Sequence, residues 1–152
     1  VWTASSREWA ATVVVHVLGK HRPWSFVWSG DRCVERHDLG SLHSNEAKTI
    51  SVKPLRKVWR SPARRAAGFS KHGTVIVEDT PANCRQNLGN AIVVPTFCVE
   101  RAWNPALHAP LEDTLAALLP FLESSLLPSA DVREARGLHG GWLAETPGAE
   151  AA

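Results

Sequence analysis

The chain has 152 residues, of which 44% are hydrophobic and 21% charged. That is enough for one domain with a real core, and it excludes a fibrous or wholly disordered protein. No apolar run approaches the ~20 residues needed to cross a bilayer, and no basic segment followed by an apolar stretch marks a signal peptide. The net charge of +2 conceals a division: residues 1–77 carry 13 basic and 5 acidic side chains, residues 78–152 carry 4 and 10. Between Ala47 and Val77 there is no acid, but there are Lys48, Lys53, Arg56, Lys57, Arg60, Arg64, Arg65 and Lys71. Such a patch either steers anionic ligands or forms a solvated basic face. Cys33, Cys84 and Cys98 are odd in number and irregularly spaced. They argue against a disulfide framework and for a reducing compartment; the expected location is intracellular, nuclear or cytoplasmic, with a mitochondrial one left open.

In chain order, Ser5 as N-cap with Glu8 three residues on predicts a helix start. Trp9, Val13 and Val17 recur at helical spacing up to Gly19, a natural stop. Trp24–Trp28 reads as a strand, and Arg32–Val34 as a second short extended piece. Residues 35–49 read as a polar loop ending at Ile50–Pro54, and Leu55–Trp59 as a helical turn. Val75–Val77 is a β-branched strand that runs into Glu78 and Asp79. Pro81 then opens a short helix at its favoured first position. Ala91–Val94 predicts another strand. A helix from about Leu111 to Leu126 carries a stripe of Leu115, Leu118, Leu119, Leu122 and Leu126 for packing on the sheet. Asp131–Arg136 adds a turn, and residues 137–152 have the composition of a disordered tail. Strand–helix alternation predicts an α/β fold.

Adjacent acids at the carboxyl end of a strand suit either a helix N-cap or a hard divalent cation. Three pieces lie in order: Val1-Trp2-Thr3-Ala4-Ser5, then Val52-Lys53-Pro54-Leu55, then Val77-Glu78-Asp79-Thr80-Pro81. With Phe26–Val34, the stretch from Val77 to Pro95 and Leu118-Leu119-Pro120-Phe121-Leu122, this order resembles the FCP/SCP-type (NLI-interacting-factor-like) phosphatases of the haloacid dehalogenase-like superfamily. The resemblance runs from Val1 to about Arg136.

It implies a Rossmann-like, haloacid dehalogenase-type parallel sheet with flanking helices. It also implies a Mg²⁺-dependent protein-serine/threonine phosphatase acting on RNA polymerase II tails or similar phosphoproteins through an aspartyl-phosphate. Thr3 would donate to a phosphoryl oxygen, and Lys53 would supply positive charge. Asp79 would ligate Mg²⁺. Glu78 would ligate it, support it through water, or orient Lys53, while Thr80 and Pro81 would shape the turn. The family's Asp-x-Asp-x-Thr/Val motif, source of nucleophile and general acid, is absent from residues 1–152. With Val1 at the start and no methionine in the chain, the expectation is a fragment of a longer protein, lacking its catalytic strand and inactive alone. The expected partner is a phosphoprotein or phosphopeptide, with neither membrane nor nucleic acid. A catalytically inactive relative that acts as a protein-binding module is the alternative.

Overall fold

A computed structural model describes residues 1–38, 48–96 and 114–135. The chain enters with Trp2 in a parallel bridge to Trp28, and the two indoles meet edge-to-face at 5.0 Å. Helix α1 (Arg7–Val13) follows. Its N-cap is Ser6, not Ser5: the Ser6 hydroxyl accepts from the Trp9 amide at 3.2 Å. Ser5 is occupied elsewhere, its carbonyl accepting from the Gly30 amide and its own amide donating to Thr3 Oγ1. The helix widens into π-type turns over Val14–Gly19. Gly19 sits at φ 92°, a left-handed position that glycine adopts without strain. The Trp24 indole caps that carbonyl at 3.1 Å. The residues at helical spacing do not form a buried stripe, since Trp9 is 59% and Val17 74% exposed and only Ala10 is buried in α1. No described element covers that face.

Trp24–Trp28 forms no regular strand beyond its bridge at Trp28. A single turn at Gly30–Arg32 leads into β1 (Val34–Asp38), which pairs antiparallel with β2 (Lys48–Val52). Residues 35–38 and 48–49 of the predicted loop are therefore strand, and 39–47 lie outside the described residues. The ladder is satisfied through backbone groups, so exposed Glu35, Arg36 and His37 do not prevent pairing. Helices α2 (Arg56–Arg60) and α3 (Pro62–Ala66) come next, the second with proline at its first turn. Strand β3 (Ile76–Glu78) pairs in parallel with β4 (Ala91–Val93), and α4 (Pro81–Cys84) connects them. A parallel pair with helical crossovers fits an α/β fold. The described strands form two separate two-stranded sheets rather than one.

Helix α5 (Thr114–Phe121) contains Pro120 and opens into π-type turns over Leu122–Leu126. Leu118, Phe121 and Leu126 join Ile92 and Val132 in the core. Leu115 (66% exposed) and Leu119 face outward, so only part of the predicted stripe packs inward. The turn at Val132–Glu134 closes this core. The predicted start of α5 at residues 111–113, Cys98, and the tail from 137 lie outside the described residues. Among the described residues no helix is long and apolar enough to cross a membrane.

A polar seam locks the C-terminal turn to the loop before β3. Val132 N–H donates to the His72 carbonyl at 2.8 Å. Asp131 pairs with Arg133 and, at 2.7 Å, with His72 Nδ1. The Arg133 guanidinium, and then His72, hold the Asp131 carboxyl well below the usual carboxylate range. A depressed carboxyl contributes stability above its unfolded pKa of about 3.9 and loses it as pH falls towards the folded value. Asp131→Asn should therefore lower the melting temperature at neutral pH. The gap to wild type should close progressively below about pH 4, as followed by thermal unfolding across that range.

Candidate active site

Helix α4 packs against both β2 and β3, bringing the ends of the two strands together. Lys53, just beyond β2, and Glu78, the last residue of β3, are both buried. Lys53 Nζ meets Glu78 Oε2 at 2.5 Å. The other carboxylate oxygen accepts from Asn83 Nδ2 at 3.2 Å and from the Thr80 amide at 3.3 Å. Glu78 thus turns both oxygens inward. A buried ion pair survives only when its remaining lone pairs and protons find partners in this way.

Backbone bonds fix the lysine's position. The Lys53 amide donates to the Asn83 carbonyl at 2.7 Å. Asn87, itself buried, spans the Lys53-Pro54-Leu55 turn. Its Nδ2 donates to the Lys53 carbonyl at 2.6 Å, and its Oδ1 accepts from the Leu55 amide at 2.9 Å. Proline cannot supply an amide here, so a side chain does the work of a sheet neighbour. Asn87→Ala should leave a buried carbonyl and a buried amide without partners, costing about 2–3 kcal/mol. Urea unfolding should show the loss, and faster amide exchange at Leu55 should localise it.

Asp79 points away from this pair. Its side chain is exposed and, among the described residues, meets only Thr80 Oγ1 at 3.4 Å. The Thr96 hydroxyl holds its backbone carbonyl at 3.2 Å. Thr80 is the N-cap residue of α4 in extended conformation, and Pro81 occupies the first helical turn. Successive strand residues project to opposite faces, so Glu78 and Asp79 divide the work between inside and outside.

Thr3 lies on the neighbouring segment. Its amide donates to the Trp28 carbonyl at 2.9 Å, and its Oγ1 accepts from the Ser5 amide at 3.1 Å. The loop over it is tight: a Cβ at Gly30 would sit 2.6 Å from the Ala4 carbonyl oxygen, so only glycine fits. Cys33 Sγ approaches the Thr3 carbonyl at 3.8 Å. Burial pushes the Cys33 thiol up, and the charges of Lys53, Lys57 and Glu78 also reach it. The buried Cys84 behaves alike, raised by burial and next by Glu78. The structure therefore brings Lys53 into contact with Glu78 and sets Asp79, Thr80 and Pro81 in sequence behind it. Cys33 precedes the Val34–Val52 pair of the β1–β2 ladder, and its thiol approaches the Thr3 carbonyl.

Sequence reasoning did not find Asn83 and Asn87. Asn83 had a weak signal, standing three residues into the helix that Thr80-Pro81 opens. Asn87 had none, because its partners lie 32 and 34 residues away in the chain.

The fit to a divalent cation rests on Asp79. Among the described residues, no three His, Cys, Asp or Glu side chains gather as a cluster. Magnesium needs less: it commonly takes one or two carboxylates and completes its octahedron with water and substrate phosphate. The outward Asp79 carboxylate meets that need, whereas Glu78 is committed to Lys53.

Residues 1–133 match the family model of the NLI interacting factor-like phosphatases. Neither curated proteins nor solved structures returned a match.

Proposed function

Because the chain belongs to the NLI interacting factor-like phosphatase family, we propose that it is the main part of a magnesium-dependent phosphatase for phosphoseryl or phosphothreonyl proteins. RNA polymerase II tails are the first substrate to try. The carrying observation is the buried Lys53–Glu78 pair at the strand ends, with the Asp79 carboxylate beside it facing outward. Phosphoryl transfer spreads negative charge over the equatorial oxygens, so catalysis is mostly positioning and charge neutralisation.

Lys53 would present its ammonium to the transferring group, with Glu78 and Asn83 fixing its direction. Thr3 would donate its hydroxyl hydrogen to a phosphoryl oxygen, while its own Oγ1 holds the Ser5 amide. Thr80 and Pro81 would set the turn that aims Asp79. Asp79 would hold a magnesium ion, which adds further charge neutralisation when bound.

The nucleophile and general acid are absent from residues 1–152. We place them on a strand outside this chain, in a haloacid dehalogenase-type sheet. A groove of about 380 Å³ supports that reading, lined by Val1, Trp2 and Phe26 and by Val75, Ile76 and Val77. On one side, the Val1 carbonyl and Thr3 amide bond to Trp28, so alternation turns the Trp2 backbone groups the other way. On the other, the Glu78 carbonyl accepts from the Val94 amide just beyond β4, so alternation turns the Val77 backbone groups towards the groove, where no described residue pairs with them. An extended apolar strand between these edges would join the Trp2–Trp28 bridge to the β3–β4 sheet and carry aspartates to the Lys53 side.

The test is magnesium dependence in the full-length protein. Asp79→Asn should raise the magnesium concentration for half-maximal phosphate release by about 10-fold or more. An unchanged requirement would take the ion away from Asp79.

A further inference from the structure

Beside Thr3 lies a basic groove of about 530 Å³, to which Arg32, Arg56, Lys57, Arg60 and Arg64 contribute with Asp31 as the one carboxylate. We propose that this groove takes a second phosphorylated residue of the same substrate, so that the protein prefers multiply phosphorylated segments. The inference rests on the phosphatase reading and deepens it.

Three observations carry it. First, the groove adjoins the candidate site. Trp28 lines it and accepts the Thr3 amide at 2.9 Å, and α2, which carries Arg56, Lys57 and Arg60, begins three residues after Lys53.

Second, part of the charge is held in place. Lys57 Nζ donates to the carbonyls of Arg32 and Cys33 at 2.8 and 3.4 Å. Arg64 donates to the Ser25 carbonyl at 3.0 Å and lies 4.9 Å over the Phe26 ring. Arg32 lies 5.8 Å over Trp28 and 3.6 Å from Asp31. Asp31 is itself shared with Ser29 at 2.5 Å and Arg7 at 3.5 Å. Arms fixed in this way lose little freedom on capturing an anion.

Third, the arrangement works against helix stability. Arg56 and Arg60 are exposed like charges at i and i+4, a repulsive spacing, and pair with no acid among the described residues. An incoming dianion relieves that repulsion, and guanidinium forks suit phosphate geometry. A single-stranded nucleic acid gains from open aromatic faces for its bases, and Arg32 already lies over Trp28.

The experiment compares synthetic peptides carrying one or two phosphoserines a few residues apart, using the full-length protein. Turnover and fluorescence anisotropy are both followed. The expected result is about 10-fold higher kcat/KM and tighter binding for the doubly phosphorylated peptide at low salt, shrinking as ionic strength rises. Arg56→Glu with Arg60→Glu should collapse that ratio, and the wild-type salt dependence gives the same readout without a variant. Equal constants for the two peptides overturn the proposal, as does a ratio the double variant leaves intact. An RNA oligonucleotide that binds more tightly than either peptide, with no gain from the second phosphate, assigns the groove to nucleic acid instead. Tighter binding of the doubly phosphorylated peptide without turnover of either supports the groove while removing the phosphatase reading.

Discussion

Glu78→Ala is expected to destabilise the fold by about 3–5 kcal/mol, because it leaves the Lys53 ammonium buried without its counter-charge. Lys53 is 7% exposed, and its amide and carbonyl are held by Asn83 and Asn87. The side chain is thus anchored at its base and only 9% exposed. Lys53→Met alone should also be costly, since it strands the Glu78 carboxylate between Asn83 and the Thr80 amide. The combined Lys53→Met/Glu78→Leu variant should recover much of the loss, because removing both charges removes the desolvation cost of each. Urea unfolding of wild type, Lys53→Met, Glu78→Leu and the combined variant closes the cycle. A loss below about 1 kcal/mol for Glu78→Ala would mean that the pair is solvated, as exposed ion pairs are.

The second large effect is on turnover. Lys53→Ala should reduce kcat by about 10²-fold or more, corresponding to roughly 3 kcal/mol of lost transition-state stabilisation. The charge acts most where negative charge develops, so KM should move much less than kcat. The comparison belongs at a temperature where unfolding controls show the variant folded, since the same substitution weakens the buried pair. Near wild-type kcat would remove Lys53 from the chemistry and leave it a structural cation.

Local chemistry made several elements legible. The β-branched run before Glu78 is β3, shifted by one residue, and Pro81 opens α4 as its fixed φ favours. Gly19 ends the first helical stretch in the left-handed conformation that glycine permits. Where competing bonds decided, the sequence misled. The spacing to Glu8 points to Ser5 as the cap, but the bonds of Ser5 to Thr3 and Gly30 leave the position to Ser6. The β1–β2 hairpin was invisible because Glu35, Arg36 and His37 offer no apolar alternation, the usual sign of a strand. Trp9 and Leu115 have helical spacing but face outward, because spacing identifies a stripe without saying what covers it. At the site, Glu78 and Asp79 are read from their strand end, and Lys53 from the resemblance to the phosphatase family. Sequence left three roles open for Glu78, and the 2.5 Å contact shows it turned to Lys53. Asn87 acts on the lysine's turn across 32 and 34 residues, beyond the reach of any local pattern.

Phosphate release from a phosphoseryl peptide by the full-length protein, titrated with magnesium, is the most direct measurement. The phosphatase account predicts saturable release that disappears on chelation and falls by about 10²-fold in Lys53→Ala. Tight binding of the phosphopeptide with no phosphate released at any magnesium concentration would contradict it, and would make the protein a phosphopeptide-binding relative of its family.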